Sequence, residues 1–449
     1  MRSPTLLPVF FVFVFAAGAL TVVQAQEIPS TPEASAVPAG PFKPHLTPGE
    51  PLPDWSRLEP RQETVTRAEF DRALERLYAS GPDAVREFLA YADVSDAEAV
   101  FYADKAKAVP RFHLRFAKSK EAKKAVSGFF SARPAAPDPQ KPLSGLVVCL
   151  DPGHIGGEWA RMEERFFQVG DDPPVLEAHL TLLACRRAAA ALEKAGATVL
   201  WTKRTEEPVT PLRPDDLRQT AIDVLKDGSD RPLLLPPDVL EKKIRVTAEK
   251  LFYRTEEIEA RAAKIAAMRP RPDLTLCVHF NAAPWGEPDH PRLVPNSRLV
   301  VFVHGQYAPE EVDYEDERYG LVAKLLEQSA GTELGVAEKV AASLEAQWHI
   351  LPEEYKDWPA VRRVGVHPYI YARNLLANRA FPGPVVFIEG PYMNADDAYP
   401  RLIAGDYDGT RLVAGKDQPS IFAEFGEAIT RGVVEYVRGS EERVTAEGK

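Results

Sequence analysis

Two regimes of apolar spacing divide this chain. From Thr66 onwards Phe70, Leu74, Leu77 and Tyr78, and then Val85, Phe88, Leu89 and Ala92 beyond a Gly81-Pro82-Asp83 break, recur at helical intervals, the spacing that gathers apolar side chains on one helix face. Residues 62–132 are therefore expected to form a small helical domain. From Leu143 short apolar runs alternate with longer amphipathic stretches, the pattern of a largely parallel sheet with crossover helices. Strands are expected at 145–150, 198–202, 274–280, 298–303, 369–372 and 385–388, and helices at about 177–195, 238–268, 333–348 and 418–438. Gly196 is placed to close the first of these helices in a left-handed conformation. The fold class that follows is α/β, a mostly parallel central sheet flanked by helices and preceded by the small helical domain.

The N-terminus departs from both regimes. Arg2 is followed by an apolar run over residues 6–23 and a small-residue exit at Val23-Gln24-Ala25, the plan of a secretory signal peptide with cleavage after Ala25; an uncleaved membrane anchor is the alternative. Proline makes up 41 of the 449 residues, nearly twice its usual share. Much of that excess falls in 26–61, expected as an extended linker, and in a second short linker at 133–142. The catalytic domain is expected to span 143–440, with insertions at about 205–260 and 305–332 and a polar tail at 441–449. A net charge of −11 and a pI near 5.5 argue against a nucleic-acid partner and against attraction to anionic lipid, so no membrane contact is expected apart from the signal segment. The lysines at 105, 107, 118, 120, 123 and 124 are expected on a solvated face, with a docking face as the alternative. Cys149, Cys185 and Cys277 are too few and too scattered for a disulfide framework, although Cys149 and Cys277 could face each other across neighbouring strands.

In open α/β sheets chemistry gathers beyond the carboxyl ends of the strands. There the first strand runs into Asp151-Pro152-Gly153-His154, the third into His279-Phe280-Asn281, and the last into Glu389-Gly390-Pro391, while Glu177 opens the helix that follows the first strand. Two imidazoles and a carboxylate with an open fourth position make a catalytic zinc site, and a further carboxylate can take a proton from the attacking water and return it to a leaving amine. The ligands expected are His154, Glu177 and His279, holding one Zn2+ per chain, with Glu389 as general base and acid. His179 lies two residues beyond Glu177 and points away from it. His290, His304, His349 and His367 have no carboxylate at metal spacing and are expected in solvated or capping roles.

These residues resemble the zinc-dependent N-acetylmuramoyl-L-alanine amidases of the type-3 cell-wall hydrolase group. Val148-Cys149-Leu150-Asp151-Pro152-Gly153-His154 is similar to that family's opening strand and first histidine. Glu177-Ala178-His179-Leu180 is similar to its glutamate helix, and Glu259-Ala260-Arg261 to its arginine-bearing helix. Cys277-Val278-His279-Phe280-Asn281 and Pro384-Val385-Val386-Phe387-Ile388-Glu389-Gly390, with Asn394, are similar to its second-histidine and catalytic-glutamate motifs. The departures are Ile155 where the family has a glycine, Cys277-Val278 before the second histidine, and a long insertion between Arg204 and Arg261.

The resemblance implies an amidase or zinc-exopeptidase type of fold and hydrolysis of the amide between N-acetylmuramic acid and L-alanine in peptidoglycan, by an exported, periplasmic or envelope enzyme. Asn281, Arg261 and Asn394 are candidates for ligand orientation or substrate contact, loop capping being the alternative for the two asparagines. A partner could recruit or activate the enzyme through the helical domain. The acidic stretch 310–317 is expected as a solvated loop; it also lies where some family members carry an inserted helix over the zinc, so the resemblance offers the alternative that 305–332 restrict access. Two rivals stay open: a zinc carboxypeptidase or peptidase acting on stem peptides, and a non-catalytic wall-binding protein.

Overall fold

The computed structural model describes residues 45–126, 138–226, 233–356 and 358–447, with side chains to 440. The expected signal peptide, residues 26–44 of the first linker and 133–137 of the second lie outside them. Helix α1 (Arg67–Ala73) begins with a reciprocal cap between Thr66 and Glu69 and runs into a wider π turn over Leu74–Tyr78, and α2 (Pro82–Ala90) starts with proline in its first turn. The helical expectation ends there. Ala99 and Phe101, then Phe112 and Leu114, are buried in alternation with more exposed neighbours and form an antiparallel sheet of β1 (Ala92–Val94), β2 (Glu98–Tyr102) and β3 (Pro110–Arg115). The unit is mixed rather than helical, because runs this short carry a period of two over only a few residues. The expected first linker is also shorter than 26–61. A 3-10 turn at Trp55–Arg61 buries Trp55 and Leu58, and the indole stacks on Phe101 at 5.8 Å.

The chain continues through β4 (Val147–Pro152), a ribbon of β5 (Phe166–Phe167) and β6 (Val175–Leu176), α3 (Glu177–Lys194) and β7 (Thr198–Trp201). Helices α4 (Arg218–Leu225) and α5 (Pro237–Leu251) follow, and α5 passes through a π turn into α6 (Glu257–Ala267). Next come β8 (Leu274–Phe280), β9 (Arg298–His304), α7 (Glu315–Glu327), α8 (Ala330–Trp348), β10 (Leu351–Pro352), β11 (Val361–Arg363) and β12 (Ile370–Arg373). The last elements are α9 (Leu376–Ala380), β13 (Val385–Gly390), α10 (Tyr399–Ile403), the hairpin β14 (Thr410–Val413) and β15 (Lys416–Pro419), and α11 (Ile421–Glu447), which carries the expected polar tail as helix.

The central sheet has the order β11-β12-β9-β13-β8-β4-β7. Its pairings are parallel except β13 with β9 and β11 with β12, as the apolar runs of 274–280 and 385–390 predict for strands covered on both faces. One face is buried by α3, α8 and α11 through Leu180, Ala188, Val336, Val340, Phe425 and Ile429. The other carries Cys149, Cys277, Phe302 and Phe387 under Ala262 and Ile265 of α6. All three cysteines are buried, unbridged thiols.

Both insertions acquire structural roles. Residues 205–226 and 233–260 build their own apolar cluster from Leu217, Ala221, Ile244, Ala248 and Phe252, and Ile155 is its fully buried anchor on the catalytic side. Residues 305–332 are built into a core. Val312, Leu321, Val322, Leu325 and Leu326 share one core with Phe70, Phe88, Phe101 and Leu114, so α7 is the seat of the N-terminal unit. Its acidic side chains are buried there: Glu315 accepts from Arg111 at 2.6 Å and from Trp55 at 3.2 Å, and Glu317 pairs with Arg379 at 2.6 Å. His304, expected in a solvated or capping role, is instead buried against the Tyr307 hydroxyl at 2.9 Å.

Candidate metal centre and active edge

Strand register sets the site. In the parallel pairs β13·β8 and β4·β8, Glu389 lies opposite His279 and Pro152 opposite Val278. The backbone N–H of Gly153 continues the second ladder by donating to Val278 O at 3.0 Å. His154 therefore leaves β4 one strand away from His279, and Glu177 faces both from the first turn of α3. A Cβ on Gly153 would lie 2.3 Å from the His279 ring, so only glycine allows the imidazole to pack there.

Glu177 Oε1 is 3.1 Å from His154 Nε2 and 3.2 Å from His279 Nδ1. The two rings meet edge to face with centroids 4.8 Å apart, and the three candidate ligand atoms all lie within 4.8 Å of one another. Such a set could hold a metal ion. The orientation of the first ring supports this: Glu163 Oε1 lies 2.8 Å from His154 Nδ1 while its Oε2 accepts the Ile155 N–H at 2.9 Å. A carboxylate on the outer nitrogen fixes the tautomer and turns Nε2 inward, as at established metal sites.

The main chain of His154 is held equally firmly. Its φ of 62° lies in the left-handed region, uncommon for a residue with a side chain. Its carbonyl accepts from Arg261 at 3.0 Å and also from Lys203. Arg261 in turn pairs with Asp151 at 3.2 Å and Glu257 at 2.8 Å and donates to Pro152 O at 2.9 Å. This guanidinium is 4% exposed and faces the backbone of the His154 turn rather than the cleft.

Charge is unevenly shared at the edge. Burial would depress His154, but the carboxylates of Glu177 and Glu163 outweigh it and lift the imidazole to about 9. Burial brings His279 down to about 4, with the neighbouring His154 charge adding to the effect against the hydrogen bond that Glu177 accepts from the ring. Burial alone would raise Glu177, yet His154, the His279 hydrogen bond and Arg165 hold it well below the carboxylate range. The Arg165 Nε sits 3.1 Å from Glu177 Oε2 and 3.3 Å from His154 Nε2. Glu389 is pushed up to about 8, first by burial and then by Glu177, against the charges of His154, Arg165 and Arg373. A carboxyl shifted into the neutral range can both accept and return a proton near physiological pH.

The structure thus brings His154, Glu177, His279 and Glu389 together. Asn281 caps its own loop, accepting the Ala282 N–H at 2.8 Å, and reaches Glu353 at 3.4 Å. Asn394 is fully buried and ties two loops together, accepting the Ala283 N–H at 3.0 Å and donating to Arg292 O at 3.1 Å. His179 is half-exposed and pairs with Glu206 at 2.8 Å. Glu163 and Arg165 had no signal in the sequence beyond lying between His154 and Glu177, in a polar stretch without periodicity.

No family model matches the chain, and no curated protein matches it. Among solved structures, the N-acetylmuramyl-L-alanine amidase Ami1 from Mycobacterium smegmatis aligns with 66% of this chain and 99% of its own, at 15% identity and a TM-score of 0.36. The amidase AmiC2 of Nostoc punctiforme covers the same shares at 17% identity and a TM-score of 0.33. The CwlD amidase from Clostridioides difficile, solved in complex with the GerS lipoprotein, covers 66% and 99% at 11% identity and a TM-score of 0.34. At these scores and identities the likeness does not by itself establish a shared fold or activity.

Proposed function

We propose that this chain is an exported, zinc-dependent N-acetylmuramoyl-L-alanine amidase that hydrolyses the amide between N-acetylmuramic acid and L-alanine in peptidoglycan. The observation that carries this reading is the convergence, at one sheet edge, of a two-histidine, one-glutamate donor set with a fourth carboxylate in register beside it, on motifs that follow one another in the amidase order. His154 Nε2, Glu177 and His279 Nδ1 would hold the zinc; the donor set is of the His2Glu kind found at catalytic zinc sites. Zinc bound there would polarise the scissile carbonyl and activate the attacking water.

The remaining work falls to the chain itself. Glu163, Arg261 and Lys203 hold the His154 turn, so that the ring presents Nε2 without reorganising. Glu389 takes the proton from the attacking water and passes it to the nitrogen of the departing L-alanine, a transfer worth roughly 10²–10⁴ in rate. Export rests on residues 1–25; no helix of the described residues is long and apolar enough to cross a membrane. A recruiting or activating protein would dock on the N-terminal unit.

Glu389→Gln tests the assignment. The variant should bind zinc as the wild type does and lose hydrolysis of purified peptidoglycan by at least about a hundredfold. Retained turnover would remove Glu389 from the mechanism. Mass spectrometry of wild-type digests decides between the amidase and a peptidase on the same edge: free muramic lactyl groups support the former, free D-amino-acid ends the latter. Wild-type turnover that survives full removal of zinc would overturn the metal assignment, and absence of turnover in the zinc-loaded protein would favour a wall-binding role.

A further inference from the structure

The sheet face that carries His279 and Glu389 continues sideways into a patch of aromatic rings that the chemistry above does not use. The His279 imidazole stacks on Phe387 at 4.1 Å, and Phe387 meets Phe302 at 6.3 Å. Phe302 lies opposite Phe387 on one side and Tyr371 on the other, so all three share this face, as does Arg373 two residues along β12. Tyr355 rises from the loop above, 5.9 Å from Phe302, 5.0 Å from Tyr371 and 5.6 Å from Trp358.

Arg373 closes this patch. Its guanidinium lies 4.6 Å over the Trp358 ring and 5.8 Å over Phe302. Other well-buried arginines spend their donors: Arg261 on Asp151 and Glu257, Arg379 on Glu317, and Arg318 on the carbonyls of Val312, Asp313 and Ala103. The Arg373 guanidinium forms no hydrogen bond or ion pair among the described residues, and neither does the Tyr355 hydroxyl. Glu389, Tyr355 and Glu311 act on its charge, but burial outweighs them and lowers its affinity for the proton. Glu311 spends its carboxylate elsewhere, on the Ala308 N–H at 2.7 Å and on Asn374. The residues remain reachable, since Tyr355, Trp358 and Arg373 are all half-buried.

We propose that Arg373, framed by Tyr355, Trp358 and Phe302, is a carboxylate-binding subsite that holds the peptide part of the substrate beside the catalytic edge. The proposal rests on the amidase reading. A planar guanidinium with its N–H donors unspent is matched by a carboxylate, which accepts two parallel hydrogen bonds, and aromatic walls strengthen such a pair by excluding water. The scissile amide has a neutral sugar on one side, which offers nothing to a cation, and on the other a peptide that carries carboxylates. The subsite therefore orients the peptide side. It selects substrates whose stem-peptide carboxylate is free over those in which it is a primary amide.

The test uses the zinc-loaded full chain and two muropeptides that differ only in that group, carboxylate or amide. Wild type should favour the carboxylate form about ten- to a hundredfold in kcat/KM, mainly through KM. Arg373→Gln should abolish the preference with zinc content unchanged, and Arg373→Lys, which keeps the charge but loses the fork, should retain part of it. An unchanged preference in Arg373→Gln, or none in the wild type, overturns the subsite while leaving the amidase intact. Should Arg373→Gln fail to fold, an undiminished preference in Arg373→Lys would overturn it as well. If the wild type cleaves neither compound, the amidase reading falls and calorimetry with the free peptides decides the subsite. Tighter binding of the acid, lost in the variant, supports it; equal binding of acid and amide rejects it.

Discussion

Glu163 offers a test of how the metal centre is built. Its two carboxylate oxygens serve two buried partners, His154 Nδ1 at 2.8 Å and the Ile155 N–H at 2.9 Å, and Ile155 is fully buried. Glu163→Ala strands the N–H, at a cost of about 1–3 kcal/mol, and releases the ring that Glu163 orients. Loss of such an outer partner weakens metal binding by roughly 10–100-fold, or about 1.4–2.8 kcal/mol. Glu163→Gln is the sharper probe because it keeps the shape. A glutamine has one acceptor and one donor end. If its oxygen faces His154, its NH₂ opposes the Ile155 N–H; if its NH₂ faces His154, Nδ1 must accept and the ring proton moves to Nε2, where it blocks a metal ligand. Either orientation costs. Zinc competition against a chromophoric chelator should show both variants at least about tenfold weaker than wild type, and thermal unfolding of the metal-free protein should show Glu163→Ala less stable. Wild-type zinc affinity in both variants would refute the account of how Nε2 is presented.

Two further outcomes follow from the same packing. Ile155→Ala should destabilise the protein by about 2–5 kcal/mol in denaturant unfolding, the range for emptying a fully buried isoleucine site, because it removes the anchor between the His154 turn and the 205–260 insertion; a loss below about 1 kcal/mol would mean that the insertion is held some other way. Glu50 is pushed up to about 8, by burial and then by Glu259, with Arg379 opposing and Asp316 and Glu317 adding. A carboxyl with a raised folded-state pKa keeps its proton on folding at low pH and pays to lose it at high pH, so its penalty grows from about pH 4.5 to 8 and is complete above that. Glu50→Gln should therefore stabilise the protein at pH 8–9 and leave it unchanged at pH 4; a gain that does not vary with pH would show that charge is not the cause.

The pattern of residues carried the central sheet and much of the candidate site. The apolar runs ending in Gly153-His154, in His279 and in Glu389-Gly390 are strands whose side chains and exits are decided within a few residues, and α3 begins at Glu177 as its periodicity says. The 92–115 strands were hidden because alternation over so few positions does not stand out beside the helical spacing of Phe70 and Leu74. The acidic stretch 310–317 reads as a solvated loop for a different reason. Its partners Thr47, Trp55, Arg111 and Arg379 lie far away along the chain, and nothing local announces that they will bury it.

What the sequence determined by itself is therefore local: which segments are strands and helices, and which residues stand at their carboxyl ends. Tertiary structure decided everything that depends on partners from distant segments. It put Glu163 behind His154, made Ile155 the anchor of an insertion, made α7 the seat of the N-terminal unit, and left the Arg373 guanidinium on an aromatic floor with no ion pair among the described residues. The physical reason is that periodicity reports which face of an element is apolar, whereas the cost of burying a charge, and the partner that offsets it, exist only once the elements have packed.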